Sequence, residues 1–578
     1  MSFLTIMLGV VLVALSLSVC LGYRMRDLYP DLDALDRTTL LLSPVWLGYT
    51  LTLLVNNVLT VPNVNWNSAR LLPTFALAEG YDIYHPLDTG LLTGTLYPPL
   101  AYLLYLPVVI TSTPTGAYLL AGTINGLLLG LPAGIVFLAE YRHDKRFLLL
   151  GAMGFCISVW LAFHSYTLRL EAQNIHADIG AVAFGALACV PYLGLRQEPT
   201  SGKAFVSSLF VTLAIWTKQP SIAVAVGIPT YLAIAFGIQA AVAYVTRLAL
   251  VGGAMALVMF AVFGTEDLFF RIFSYPRMSP WNQQAEFSQV AWEVVQSSYA
   301  YVLIIGFGMA GISRIRGRPM TADGWSVLFR ENSWTLLLTV AVFFLPLSFL
   351  QRLRVGGNWN SYHFVYFLVL AAAMVLVAIV RKKGESKPQE GIRLIAYGAI
   401  VLALVTSIYH LRDMRGNYTR LESATPRIVY DFFKKHGPVA YFPWNQVATF
   451  MAHGEIYHQD LALETMYLAD KFPDKLPGPA FLPSHPDYVI FDSSLHYGIF
   501  PYGYYEGVLD GKGGYHYENS YRILKFFPNF HRVSGEEAAA DTRLHDLPPD
   551  WVIFRRKDYP RIEIPGSRPS WWPSPGKS

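Results

Sequence analysis

Apolar residues run along this chain in long blocks rather than in the spaced stripes of soluble helices. About twenty apolar residues cross a bilayer as a helix. Twelve such blocks can be read, at about 2–22, 39–60, 117–140, 147–164, 177–196, 203–218, 221–237, 245–263, 293–313, 333–350, 361–380 and 392–410. The pattern predicts a polytopic α-helical membrane protein with about 12 transmembrane helices. A thirteenth run, 97–112, is only sixteen residues long and carries Pro98, Pro99 and Pro107. As one helix it would reach about 24 Å. It is expected to be an interfacial or re-entrant helix, within one long outer loop from 61 to 116.

Beyond residue 410 the pattern changes to short apolar runs between turn signals: Val439–Trp444, Tyr488–Asp492 and Trp551–Phe554. Residues 426–436 predict a helix, opened by Pro426 and closed by Gly437. Residues 411–578 are therefore expected to form a small soluble α/β domain, with 1–410 as the transmembrane domain. The stretch 497–521 is a Gly- and Tyr-rich loop, and 563–578 a loose tail.

Charge sets the orientation. With the 23–38 loop inside, the inner loops carry 18 Lys and Arg and the outer loops 7. The positive-inside rule then places both termini outside the cytoplasm. Arg24 and Arg26 follow the first apolar block and no basic residue precedes it. That order predicts an uncleaved anchor rather than a signal peptide.

Composition agrees. The 578 residues are 53% hydrophobic and 15% charged. A soluble domain is about 25% charged, so the composition excludes a disordered chain and argues against a soluble globular enzyme. A net charge of +4 gives no argument for nucleic acid. Cys20, Cys156 and Cys189 lie in apolar runs and read as small hydrophobes.

Polar groups near a bilayer are costly, so their positions carry information. They gather in four places. The loop 61–99 holds Arg70, Glu79, Asp82, His85 and Asp88. The stretch 168–178 holds Arg169, Glu171, His176 and Asp178; two residues apart, His176 and Asp178 would not share a helix face. There Asn174 or Asp178 would serve as N-cap if the stretch is simply a solvated loop. Lys218 ends an apolar block and would either snorkel or bind a phosphate. Arg352 and Arg354 stand before Gly356–Gly357, against the charge trend, and guanidinium groups suit phosphate. Acids on early loops and bases on later ones suit an anionic lipid-linked substrate, with a carboxylate as general base. No zinc spacing, Walker A motif or GxGxxG after a strand is present.

The segment EGYDIYHPLDTG…YPPL, residues 79–100, resembles the first outer loop of the GT-C membrane glycosyltransferases. These include protein mannosyltransferases and the aminoarabinose transferase of lipid A. TLAIWTKQPS (212–221) and RVGGNWNSYHF (354–364) resemble later stretches of that superfamily, as does a polar C-terminal domain outside the membrane. The resemblance implies a GT-C-like fold and sugar transfer from a polyprenyl-phosphate donor. The acceptor would be a glycan, lipid or protein on the outer face, usually with inversion. It implies a multi-pass protein of the cell inner (cytoplasmic) membrane and no nucleotide cofactor; a divalent cation remains open, and no metal ligands are assigned. The partners expected are the polyprenyl-phosphate-linked sugar, the bilayer and the acceptor, with no nucleic acid.

One departure stands out. The family carries an Asp about fourteen residues before the loop glycine. Here the glycine is Gly80 and the window reads Asn65, Trp66, Asn67. Asn is no general base, so the base would be Asp82, Asp88, Glu79 or Asp178; Asp178, which begins a span, and Asp82, in the loop that matches the family, are the favoured catalytic candidates. The candidate substrate-binding residues are Asn67, Arg70, Glu79, Tyr97, Glu171, His176, Lys218, Arg352, Arg354 and Asn358. A non-catalytic member that binds lipid-linked glycans or scaffolds envelope assembly is the alternative. A transporter fits less well, because no midplane charges or inverted repeats are seen. In the C-terminal region His453, His458, Asp460 and Glu464 are close in sequence without metal-site spacing. Asn417-Tyr418-Thr419 is a sequon on the side read as outer, which leaves an endoplasmic-reticulum location open.

Overall fold

A computed structural model describes residues 53–64, 66–85, 93, 95–131, 134–135, 173–195, 197–278, 281, 288, 306, 321–354, 359–382, 416–418, 420–421, 424–457, 486–491, 530–549 and 551–556. The apolar blocks at 2–22, 147–164 and 392–410, and all of 293–313 but Gly306, lie outside these residues, as do the loop 497–521 and the tail.

In chain order the main helices are α1 (Trp66–Ala78), α2 (Pro114–Leu129), α3 (Ala177–Cys189), α4 (Ser201–Thr217), α5 (Ile222–Phe236), α6 (Ile238–Phe263), α7 (Ala322–Glu331), α8 (Trp334–Arg352) and α9 (His363–Lys382). The C-terminal region follows with α10 (Thr425–His436), β1 (Ala440–Tyr441), α11 (Gln446–His453), β2 (Tyr488–Phe491), β3 (Phe530–Arg532) and β4 (Val552–Arg556). Helices therefore stand at the described apolar blocks. Among the described residues, three are long and apolar enough to cross a membrane: Gln219–Phe236, Ile238–Phe263 and Trp334–Arg352. Ala177–Tyr192 and Ser201–Thr217 are apolar but shorter. Helix α6 starts seven residues before the block expected at 245, because Gly237 alone separates it from α5. Arg247 thus lies within a helix and donates to Ala243 O and Ser201 Oγ. Leu250, Leu257 and Val262 of α6 are exposed, as side chains facing lipid would be.

The chain divides into two compact units. The first takes 1–59, 122–258 and 281–418. Its core joins α3, α4, α5, α8 and α9 through Val182, Val211, Ile228, Leu337, Phe344 and Phe367. Helices α5 and α8 cross so closely that a Cβ on Gly227 would lie 2.8 Å from Val340 Cα. Only glycine allows that approach.

The second unit takes 60–121, 259–280 and 419–578. The run 97–112 forms two short pieces, Leu100–Leu103 and Leu106–Ile110, rather than one helix, with Pro107 opening the second. Helix α10 begins with Pro426 in its first turn and ends at Gly437, as its sequence predicts. Val429, Phe432 and Phe433 form its apolar face, at the spacing of one side of a helix. They pack on a sheet of order β1-β2-β4-β3, in which β1 and β2 are parallel and the other pairs antiparallel. Strand β3, the three residues FHR, has no sequence signature of its own.

Candidate active site

Among the described residues two polar clusters stand out, one in each unit. In the first, Asp178 lies in the opening turn of α3, where the helix dipole favours a negative charge. His176 is the N-cap, with an extended backbone that folds its ring back onto Asp178. Its Nδ1 lies against the carboxylate and is 3.3 Å from the Asp178 N–H. The helix-face argument that kept these residues apart fails, because His176 precedes the helix. The N-cap is neither Asn174 nor Asp178.

Lys218 ends α4, where Pro220 lacks the N–H to carry the helix on. Its ammonium pairs with Asp178 Oδ1. Buried there, it does not snorkel. His363, the first residue of α9, brings Nε2 to 3.2 Å from the same oxygen. Asp178 has no exposed surface, and the other three are nearly as buried. The carboxylate and the ammonium offset each other there. A buried ion pair survives only with such pairing and hydrogen bonds. Among the described residues no group of His, Cys, Asp and Glu is arranged to hold a metal ion. In this cluster an ammonium stands on the carboxylate edge that a cation would take.

The second cluster lies in 79–102. Tyr84 N–H donates to Asp82 Oδ1 at 3.0 Å, and Tyr84 Oη donates to Tyr97 O at 2.7 Å. Thr95 donates to Ile83 O at 2.7 Å. Tyr102 Oη accepts from the N–H groups of Leu96 and Tyr97. The loop is thus tied by its own buried side chains. Arg271, in a π-helical turn over Phe270–Ser274, is 1% exposed. Such turns recur at functional sites. Its Nε donates to His85 O at 2.8 Å, Nη2 is 3.4 Å from His85 Nδ1, and the guanidinium lies over Tyr275. Burial lowers its pKa, yet arginine stays charged. Asp82 is exposed, yet partial burial of its carboxyl raises it above the ordinary value, against the Tyr84 N–H that it accepts and the pull of His85 and Arg271.

The remaining candidates are placed as follows. Arg70 lies over the Tyr97 ring, with Nη1 3.5 Å from its hydroxyl. Glu79 is half-buried just past α1. Asn67 has no exposed surface and donates Nδ2 to Val61 O at 2.8 Å. Arg352 is half-buried in the last turn of α8, and Arg354 stacks over Trp281 at 4.2 Å. Glu171, Asn358, Asn65, Asp88, His458, Asp460 and Glu464 lie outside the described residues. His453 is described, with Nε2 3.6 Å from Glu455. Sequence reasoning did not single out His363 or Arg271 for the site. His363 sits inside the quoted stretch 354–364, a signal that was present, whereas Arg271 had none beyond being a cation on an outer loop.

No family model matches the sequence, and no curated protein matches it. The chain is similar to solved structures. One is ArnT from Cupriavidus metallidurans bound to undecaprenyl phosphate, at 11% identity and TM-score 0.49, over 79% of this chain and 94% of that one. Its apo state matches at 12% identity and TM-score 0.47, over 78% and 94%. Another is the oligosaccharyltransferase AglB from Archaeoglobus fulgidus with an inhibitory peptide and a dolichol-phosphate, at 13% identity and TM-score 0.34, over 77% and 69%. ArnT and AglB are both GT-C superfamily glycosyltransferases. At these scores they are likenesses only.

Proposed function

We propose that the chain is a membrane glycosyltransferase that moves a sugar from a polyprenyl-phosphate donor to a glycan, lipid or protein acceptor. The work would take place on the outer face of the cytoplasmic membrane, with both termini on that side. The observation that carries this proposal is the 79–102 loop. It bears the superfamily resemblance, and it sets a partly desolvated carboxyl, Asp82, near buried Arg271, which reaches His85 from 186 residues away.

Asp82 is the general base. A carboxyl with a raised pKa takes a proton more readily near neutral pH than an ordinary one. The acceptor oxygen attacks the anomeric carbon while its proton passes to Asp82. The bond from that carbon to the phosphate oxygen breaks, and its electron pair leaves with polyprenyl phosphate. Arg70, half-buried over the Tyr97 ring, stabilises the charge that develops on the phosphate, and Arg271, buried against His85, holds the loop that carries Asp82. Asp178, the other acid with a claim to be the base, is wrapped by Lys218, His176 and His363 and has no exposed surface. It is better suited to hold α3, α4 and α9 in register than to meet a hydroxyl.

The buried commitment of Asn67 to Val61 O favours the second reading, a non-catalytic binder of lipid-linked glycans, if no other base serves. Release of polyprenyl phosphate from a panel of donors by the purified protein decides between them. Release that Asp82→Asn abolishes supports the transferase, and tight donor binding without release supports the binder.

A further inference from the structure

Helices α1 and α11 lie side by side and run in the same direction. Trp66 meets Trp444 edge-on at 5.1 Å. Ser68 Oγ accepts from Val447 N–H at 3.3 Å, and Phe75 packs on Phe450 at 5.7 Å. Each helix then leaves through a glycine of positive φ, Gly80 at 79° and Gly454 at 83°. The paired helices therefore bring their exits together. From one comes Tyr81, the neighbour of Asp82, and from the other come Glu455 and Tyr457.

Tyr457 Oη donates to Glu455 Oε2 at 2.8 Å, and its ring meets Tyr441 edge-on at 6.4 Å. Tyr81 and Tyr457 are half-buried, and Glu455 is exposed. Burial, the Glu455 carboxylate and nearby Tyr81 all push the Tyr457 phenol up, which agrees with the closeness of the two exits. Half-exposed rings offer faces for the apolar C–H side of a sugar. A carboxylate beside them accepts hydrogen bonds from its hydroxyls. The same carboxylate repels a phosphate, so this patch differs in chemistry from the side held by Arg70 and Arg271.

We propose that Tyr81, Glu455 and Tyr457 form a carbohydrate subsite that takes a neutral sugar ring of the acceptor. The word acceptor rests on the transferase reading; the binding of a sugar does not. The test uses the full chain in lipid nanodiscs with mannotriose, maltotriose and chitotriose, read by saturation-transfer NMR. At least one trisaccharide should bind, and Glu455→Gln and Tyr457→Ala should each weaken it by about tenfold in Kd. A control at exposed Tyr418, Tyr418→Ala, should bind like the wild type. No binding of any of the three, or binding that neither variant weakens, overturns the subsite. Donor turnover to water is measured on the same samples. Sugar binding without any polyprenyl phosphate release would sink the transferase reading alone. Release without sugar binding would sink the subsite alone.

Discussion

Replacing Lys218 by Met tests whether the Asp178 cluster is a buried ionic tie or an open phosphate site. The side chains have similar length, so the change removes the ammonium and little else. Asp178 has no exposed surface, and its Oδ1 is shared by Lys218 and His363. Removing one partner of such a pair leaves a buried charge uncompensated, at a cost of about 3–5 kcal/mol. Asp178→Asn alone strands the ammonium at a similar cost. The double variant buries no net charge, so it should recover much of the loss, with a coupling above about 1 kcal/mol. Thermal unfolding of the four proteins in one detergent, followed by tryptophan fluorescence, reads the cycle. Lys218→Met with unchanged stability, or strictly additive losses, would refute the tie. If donor KM rose at the same time, Lys218 would be a phosphate ligand instead.

Three further outcomes are expected. Asp82→Asn should abolish transfer, and wild-type activity should rise with pH through a midpoint above the ordinary aspartate value of 3.8; a flat pH profile below neutrality would count against Asp82 as the base. The raised carboxyl also favours folding while protonated and ceases to do so as pH climbs through its folded pKa, so Asp82→Asn should be no less stable than wild type at pH 7. Asn67→Asp loses the donor to Val61 O and sets a carboxylate against that carbonyl in a fully buried place; it should cost about 1–3 kcal/mol and give no new activity. Retained stability with a gain of transfer would favour a decayed enzyme. Gly227→Ala drives a Cβ into Val340 and should cost about 1–3 kcal/mol by overpacking, read as a lower midpoint with unchanged secondary structure by circular dichroism.

Features set by local chemistry were legible in the sequence. The apolar blocks that are described form helices, and Pro426 and Gly437 bound α10 as their backbone constraints require. The loop 79–100 is ordered where it is described, as its apolar stretches implied. Features set by distant partners were not legible. Lys218 could be placed at a helix end but not on Asp178, 40 residues earlier. Arg271 read as one more loop cation, because nothing near it in sequence points to His85. The rule that residues two apart do not share a helix face does not govern His176, because it is the N-cap, a position that the sequence does not fix. Asn67 was noticed for what it lacks, a carboxylate, whereas its amide is used as a donor.

The most direct test of the central proposal is release of polyprenyl phosphate by the protein reconstituted in lipid with radiolabelled polyprenyl-phosphate sugars. Wild type and Asp178→Asn, matched for folded protein, should both release it from at least one donor, and Asp82→Asn should not. Release by Asp82→Asn at the wild-type rate would contradict the assignment of the base. No release from any donor by well-folded wild type would contradict the transferase itself.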